Sequence, residues 1–265
     1  MLPNFVIAGP PKSGTTSLLF YLERHPDVFV INEPHFFSRN YEKGIEWYES
    51  LFEKHKKEKA VGEKSPSYFF DPKVPLRIKK HIPDVKLIFI FRDPIKRAYS
   101  EYWHNVIHGT EFAETFEKAI EQELKNRREN KTNYLNISNY IFHLKNWNKY
   151  FPKSQMFFLT LEEINQKKLE EIAEFLGINK NFDFGELKKY NVGGSARSRK
   201  LALLAQHEMI KKIPYLSEII KRGLNMRRGK VPEISKSTRE KLVKFFEPYN
   251  KELVEFTGLD LSKWK

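Results

Sequence analysis

The tightest constraint on what this chain can fold into stands at its start, where the apolar run Phe5-Val6-Ile7-Ala8 breaks into Gly9-Pro10-Pro11-Lys12-Ser13-Gly14. A helix follows from Thr15 or Thr16, carries Leu18, Leu19 and Leu22 on one face, and stops near His25-Pro26. A buried strand feeding a helix through a glycine-containing loop is an anion site by construction, because unpaired helix amides and the positive end of the helix dipole converge on the loop. Lys12 to Ser17 add an ammonium and four hydroxyls. Gly9 and Gly14 have the spacing of a triphosphate-binding loop, but Thr15 occupies its lysine position and Lys12 stands ahead of the second glycine. The residue that would reach the outer phosphates of ATP is therefore missing.

The same alternation continues downstream. Val28-Phe29-Val30-Ile31 runs into Asn32-Glu33-Pro34-His35, a helical segment covers about 45–52, and Ala60-Val61-Gly62-Glu63-Lys64 ends at a Ser65-Pro66 turn. Lys86-Leu-Ile-Phe-Ile-Phe91 is the clearest buried strand, and Pro94 fits the first turn of the helix after it. Strands buried on both faces and alternating with helices indicate an α/β layered fold with a parallel sheet. Beyond about residue 110 the pattern is mostly helical, except for Met156-Phe-Phe-Leu159, which reads as another central strand. A basic segment over 210–230 reads as an amphipathic helix pair, and a last amphipathic helix covers roughly Ser235 to Phe256. No linker composition or repeat divides the 265 residues, so a single domain over 1–265 is expected, with the basic helical stretch at about 200–232 as an insertion.

Charge decides which partners to consider. With 47 Lys+Arg against 34 Asp+Glu the formal net charge is +13, which calls for an acidic partner: a phosphorylated cofactor, an anionic polymer, nucleic acid or a membrane surface. No apolar run is long enough to cross a bilayer, and no helix-turn-helix, RRM or KH signature supports nucleic acid, which is not expected as a partner. Met1 to Ala8 lead into the loop with no charged leader and apolar core, and the chain has no cysteine, which sets the expectation of a cytoplasmic protein. None of the eight histidines stands at a recognised zinc spacing, so no metal site is expected.

A second anion-binding signal strengthens the first. Arg92-Asp93-Pro94 closes the strongest strand, with Arg97 and Ser100 one and two helical turns on. Loops at the carboxyl ends of neighbouring parallel strands face one crevice, so Arg92 and Ser100 could grip a second phosphate of the same ligand.

The segments Pro11-Lys12-Ser13-Gly14-Thr15-Thr16-Ser17 and Arg92-Asp93-Pro94-Ile95-Lys96-Arg97-Ala98-Tyr99-Ser100-Glu101-Tyr102 together resemble the two cofactor motifs of sulfotransferases that use 3′-phosphoadenosine 5′-phosphosulfate (PAPS). The likeness is closest to the heparan-sulfate sulfotransferase branch and its soluble bacterial relatives. It extends through Glu33-Pro34-His35-Phe36-Phe37, Glu63-Lys64-Ser65-Pro66-Ser67-Tyr68-Phe69, residues 140–151 and Phe245-Phe246-Glu247-Pro248-Tyr249-Asn250. The resemblance implies a P-loop-like three-layer sandwich, a central parallel sheet flanked by helices. It implies that Lys12, Ser13, Gly14, Thr15, Thr16 and Ser17 wrap the 5′-phosphosulfate and that Arg92 and Ser100 bind the 3′-phosphate. Ser195, Ala196 and Arg197 resemble the late nucleotide-binding loop, where the heparan enzymes carry Lys-Gly-Arg; Arg197 matches and the first two positions differ. Ser38 stands where that branch has an acidic residue.

Sulfuryl transfer needs a group that takes the acceptor proton, and positive charge at the sulfonate and at the departing phosphate. The resemblance implies Glu33 as the base, with Lys12 and Lys64 flanking the transferring group; His35 could share the proton work or orient Glu33. The scheme requires no metal. Phe182, Phe184 and Tyr190, ahead of the Ser195 loop, are candidates for an adenine slot. The acceptor, which could be a carbohydrate, a lipid or a small metabolite with a hydroxyl or amine, is left open, and 210–230 offers a peripheral membrane contact. The alternatives are a P-loop nucleotide kinase and a non-catalytic module that binds an anionic polymer.

Overall fold

Five short runs of β-branched, aromatic and aliphatic residues form one parallel sheet: β1 (Phe5–Ile7), β2 (Val28–Asn32), β3 (Ala60–Lys64), β4 (Lys86–Phe91) and β5 (Met156–Thr160), in the order β2-β3-β1-β4-β5. The computed structural model describes residues 1–125, 133–188, 193–205, 207, 210, 212–213, 215–228 and 231–264. Successive side chains on a strand point to opposite faces, and here each face is buried. Phe5, Ile7, Ile88 and Ile90 pack under Leu18, Leu19 and Leu22 of α1 (Thr15–Leu22) and Leu169, Ile172 and Ala173 of α8 (Gln166–Leu176). Val6, Ala8, Leu87, Phe89 and Phe91 face Tyr48 of α2 (Ile45–Ser50), Ile78 of α3 (Val74–His81) and Leu144 and Trp147 of α7 (Tyr140–Asn148). Helix, sheet, helix are the three layers expected of the fold.

Register places the functional edge. Ile7 is level with Lys64 and with Ile88, and Lys64 is level with Asn32. The residues that leave β1, β2 and β3 therefore emerge on one rim of the sheet. After β1 the chain crosses towards β2, and after β4 it crosses the other way to β5, so the crevice between the carboxyl ends of β1 and β4 is the switch point where open α/β sheets bind ligands. One expectation is corrected here: β5 pairs only with β4 among the described strands and is an edge strand, not a central one. Its apolar run made it look doubly buried, yet Phe157 and Phe158 remain partly exposed as an edge allows.

These elements belong to a first compact unit, Met1–Asp93, Asn139–Tyr190 and Pro248–Lys265; a second comprises Pro94–Ser138 and Asn191–Glu247. The second is built on α4 (Pro94–His108), α5 (Phe116–Leu124) and α6 (Tyr134–Ser138). Arg97 is fully buried there: its Nε donates to Ser138 Oγ at 2.6 Å, its Nη2 to the Tyr134 carbonyl at 2.9 Å, and Nη1 pairs with Glu101. The basic insertion departs from a plain helix pair. After α9 (Arg199–Leu204) come one helical turn (Leu216–Glu218), a π-helical stretch (Ile219–Asn225) and a strand, β7 (Met226–Arg228), antiparallel to β6 (Gly194–Ala196). Gln206, Glu208, Met209, Lys211, Pro214, Gly229 and Lys230 of that segment lie outside the described residues. The last helix, α10 (Lys236–Thr257), has Pro248 inside it. Among the described residues no helix is long and apolar enough to cross a membrane.

Candidate active site

Steric pressure shapes the loop after β1. A Cβ on Gly9 would lie 2.7 Å from the Ile90 carbonyl oxygen, so only glycine lets the loop leave the sheet this close to β4. Gly14 sits at the N-cap of α1 with φ 95°, the left-handed region that glycine enters without a steric cost. No side chain caps that helix, which leaves its first amides to a ligand. Ser13 is fully buried in the loop, and its Oγ has no hydrogen-bond partner among the described residues. A glycine cradle, uncapped amides, a buried orphan hydroxyl and the neighbouring Lys12 fit the phosphate end of a nucleotide. Across the switch-point crevice Arg92 Nη1 donates to the Lys12 carbonyl at 3.3 Å, joining the two cofactor motifs.

On the same rim, Lys64 is 1% exposed, and its ammonium donates to Glu33 Oε1 at 2.6 Å and to Thr16 Oγ1 at 3.2 Å. The second Glu33 oxygen lies 3.4 Å from His35 Nε2. Glu33 is thus a carboxylate clasped between a lysine and an imidazole, and that lysine also touches the phosphate loop. The His35 hydrogen bond, with the Lys64 hydrogen bond and charge, holds its pKa down to about 2 against the opposing effect of burial. Burial lowers the Lys64 pKa, and the Glu33 partner offsets part of that. Both Glu33 (φ 56°) and His35 (φ 51°) are in the left-handed region, a strained geometry for residues with a Cβ.

The structure therefore joins Glu33, His35, Lys64 and Thr16 by direct contacts, and Lys12 with Arg92 through the main chain. Ser100, Ser195, Ala196 and Arg197 belong to the second unit. There Gly193 backs onto Ser100, a Cβ at Gly193 falling 3.9 Å from Ser100 Oγ. Ser195 is buried, and Arg197 is exposed, with its amide held by the Asn225 carbonyl at 2.7 Å. Phe182 and Phe184 pack on His25 with ring centroids 4.6 and 6.0 Å away, so they fill core, while Tyr190 lies outside the described residues. No group of three or more His, Asp or Glu side chains that could hold a metal occurs among the described residues.

One group escaped the sequence reading. Glu63, fully buried, accepts from Tyr68 OH at 2.9 Å, from Ser65 Oγ at 2.7 Å and from Tyr48 OH. Burial pushes its carboxyl up to about 7 despite these three donors. An acidic residue next to the small, apolar Ala60-Val61-Gly62 start of β3 was the available signal.

A parallel sheet with an anion loop at its switch point and a Glu33–Lys64 pair beside that loop is the arrangement of an α/β protein that binds a phosphorylated ligand. The chain belongs to the sulfotransferase domain family, whose model matches residues 2–258. It is 31% identical to human heparan sulfate glucosamine 3-O-sulfotransferase 3B1, over 98% of this chain and 65% of the relative. Against mouse heparan sulfate glucosamine 3-O-sulfotransferase 5 the identity is 33%, over 98% and 74%. The chain thus spans just under two-thirds of the length of the 3B1 relative. Among solved structures it resembles a sulfotransferase from Alicyclobacillus acidocaldarius, with a TM-score of 0.74, 25% identity and coverage of 100% and 99% of the two chains. Mouse sulfotransferase SULT7A1 complexed with PAP shares the fold, at a TM-score of 0.55 and 19% identity over 93% of this chain and 83% of that one.

Proposed function

We propose that the chain moves the sulfuryl group of PAPS to a hydroxyl of its acceptor, with Glu33 as the base. The observation that carries this reading is the Glu33–Lys64–Thr16 chain of contacts, 2.6 and 3.2 Å, which ties a carboxylate to the phosphate loop through one ammonium. Glu33 takes the proton as the acceptor oxygen forms its bond to sulfur. The sulfur's bond to the 5′-phosphate breaks, and Lys12 with the α1 amides receives the charge of the departing adenosine 3′,5′-bisphosphate. A carboxylate at about 2 is a weak base; Lys64 turning from Glu33 to the sulfuryl oxygens raises Glu33's basicity at the moment it is needed.

Arg92 and Ser100 hold the 3′-phosphate, and Ser195, Ala196 and Arg197 line the nucleotide in this proposal, each carried over from the motif it matches. An oxygen acceptor on a saccharide is supported by relatives at 31–33% identity whose names specify 3-O-sulfation of glucosamine in heparan sulfate. The test incubates the protein with PAPS and, separately, heparan sulfate, a glycolipid and 4-nitrophenol, and measures adenosine 3′,5′-bisphosphate with sulfated product. Equal amounts of the two products with one of these acceptors are expected. PAPS breakdown that no acceptor accelerates would overturn the transfer reading.

A further inference from the structure

Two of the three residues of the proposed site with left-handed backbone, Glu33 and His35, flank Pro34, and their loop needs something to hold it. Its amides show what does. The His35 N–H donates to Ser65 Oγ at 3.1 Å and the Phe37 N–H donates to Tyr68 OH at 3.0 Å. A hydroxyl that accepts from an amide has its own proton free to donate, and both hydroxyls donate it to one acceptor, Glu63: Ser65 to Oε2 at 2.7 Å and Tyr68 to Oε1 at 2.9 Å. Above about pH 7, where Glu63 is ionised, its carboxylate is acceptor-only on both oxygens and can orient two such relays at once. Tyr48 donates to Oε1 as well, and its ring stacks on Phe36 of the loop, centroids 4.4 Å apart.

We propose that Glu63 is a positioning residue for the sulfuryl-transfer reaction, which fixes the Glu33–His35 loop through the Ser65 and Tyr68 hydroxyls. The inference rests on the function proposed above. Glu63 touches neither Glu33 nor the phosphate loop; its two hydroxyl relays end on the loop's main chain, one at the amide of His35, whose imidazole faces Glu33. Glutamine at this position keeps one acceptor oxygen and turns an amide donor towards the other relay, so one hydroxyl loses its acceptor.

The experiment compares Glu63→Gln, Ser65→Ala and Tyr68→Phe with the wild type in two measurements. In PAPS turnover with an acceptor, each variant is expected to lose about tenfold to ~10²-fold in kcat with KM for PAPS within about threefold, the pattern of misplaced rather than missing groups. In ligand-free amide exchange, the His35 and Phe37 amides are expected to exchange more than about tenfold faster in Glu63→Gln, with the β2 amides of Phe29 and Ile31 unchanged. Wild-type kcat in a folded Glu63→Gln protein, or exchange that quickens equally in loop and sheet, would overturn the inference. Should Glu63→Gln fail to fold, Ser65→Ala and Tyr68→Phe decide by the same criteria. A wild-type protein that turns over no PAPS defeats the transfer reading instead, and exchange at His35 and Phe37 then decides whether Glu63 holds the loop.

Discussion

In the proposed reaction Glu33 is the base, and His35 and Lys64, which hold its pKa down to about 2, must loosen their grip before it takes a proton. Replacing Lys64 with Met removes a hydrogen bond and a positive charge, both of which lower the Glu33 pKa. The expected result is that the acid limb of kcat against pH moves to higher pH while the plateau falls. An unmoved limb would show that Lys64 does not govern Glu33. Glu33→Gln removes the proposed proton acceptor, and a loss of on the order of 10²-fold or more in turnover is expected, with adenosine 3′,5′-bisphosphate binding retained. Glu33 and Lys64 were legible in the sequence through motifs that resemble those of the sulfotransferases, and His35 by its place two residues after Glu33; composition and periodicity did not mark them. Glu63 was legible only as a letter of such a motif: its role depends on hydroxyls from Tyr48, Ser65 and Tyr68, which the fold brings together from separate elements.

At the scale of elements, the loop between β1 and α1 works because its first glycine lies against β4. Gly9→Ala would set a methyl 2.7 Å from a main-chain oxygen that cannot rotate away. Parting β1 from β4 at the switch point is expected to cost roughly 1–3 kcal/mol in denaturant unfolding and to weaken nucleotide binding in calorimetry. A wild-type unfolding midpoint would contradict the close approach. The turn after β5 carries a capping box, Thr160 with Glu163, whose Oε2 accepts the Thr160 amide at 2.6 Å; Thr160→Ala is expected to cost about 1 kcal/mol by the same measurement. Strand β3, which ends in Glu63 and Lys64, was read from its apolar start and the Ser65-Pro66 turn, while β1, β2 and β4 could be read in the sequence because a strand buried on both faces is an uninterrupted apolar run. The same signal misplaced β5, since an edge strand can be equally apolar. β7 was hidden altogether: three residues, Met226–Arg228, in a basic segment have no period of their own and form a strand only by pairing with β6.

For the whole molecule, pH links the buried acid to stability. Glu63 has its folded pKa raised from 4.5 to about 7, so between those values the native protein holds a proton that the unfolded chain has released. Stability is therefore expected to fall as pH rises from about 4.5 to about 7 and to level off above, by roughly 1–3 kcal/mol from this group. Thermal melts of Glu63→Gln should lack that slope; an identical slope would assign it to other groups. Glu33 acts in the opposite sense and lower down, its depressed pKa contributing stability that is lost as pH falls towards 2. The net charge of +13 pointed to an acidic partner without choosing one, because charge carries no geometry. The proposed function assigns part of it to an adenosine nucleotide with phosphate at both ends, held by the loop after β1 and by Arg92. A thermal melt with adenosine 3′,5′-bisphosphate, beside adenosine 5′-monophosphate and ATP with Mg²⁺, tests that most directly. At about 100 times its Kd the bisphosphate should stabilise the native state by about 2.7 kcal/mol. That raises the midpoint by several degrees, with much smaller shifts from the other two nucleotides. No shift at millimolar bisphosphate, or an equal shift with all three, would contradict the account.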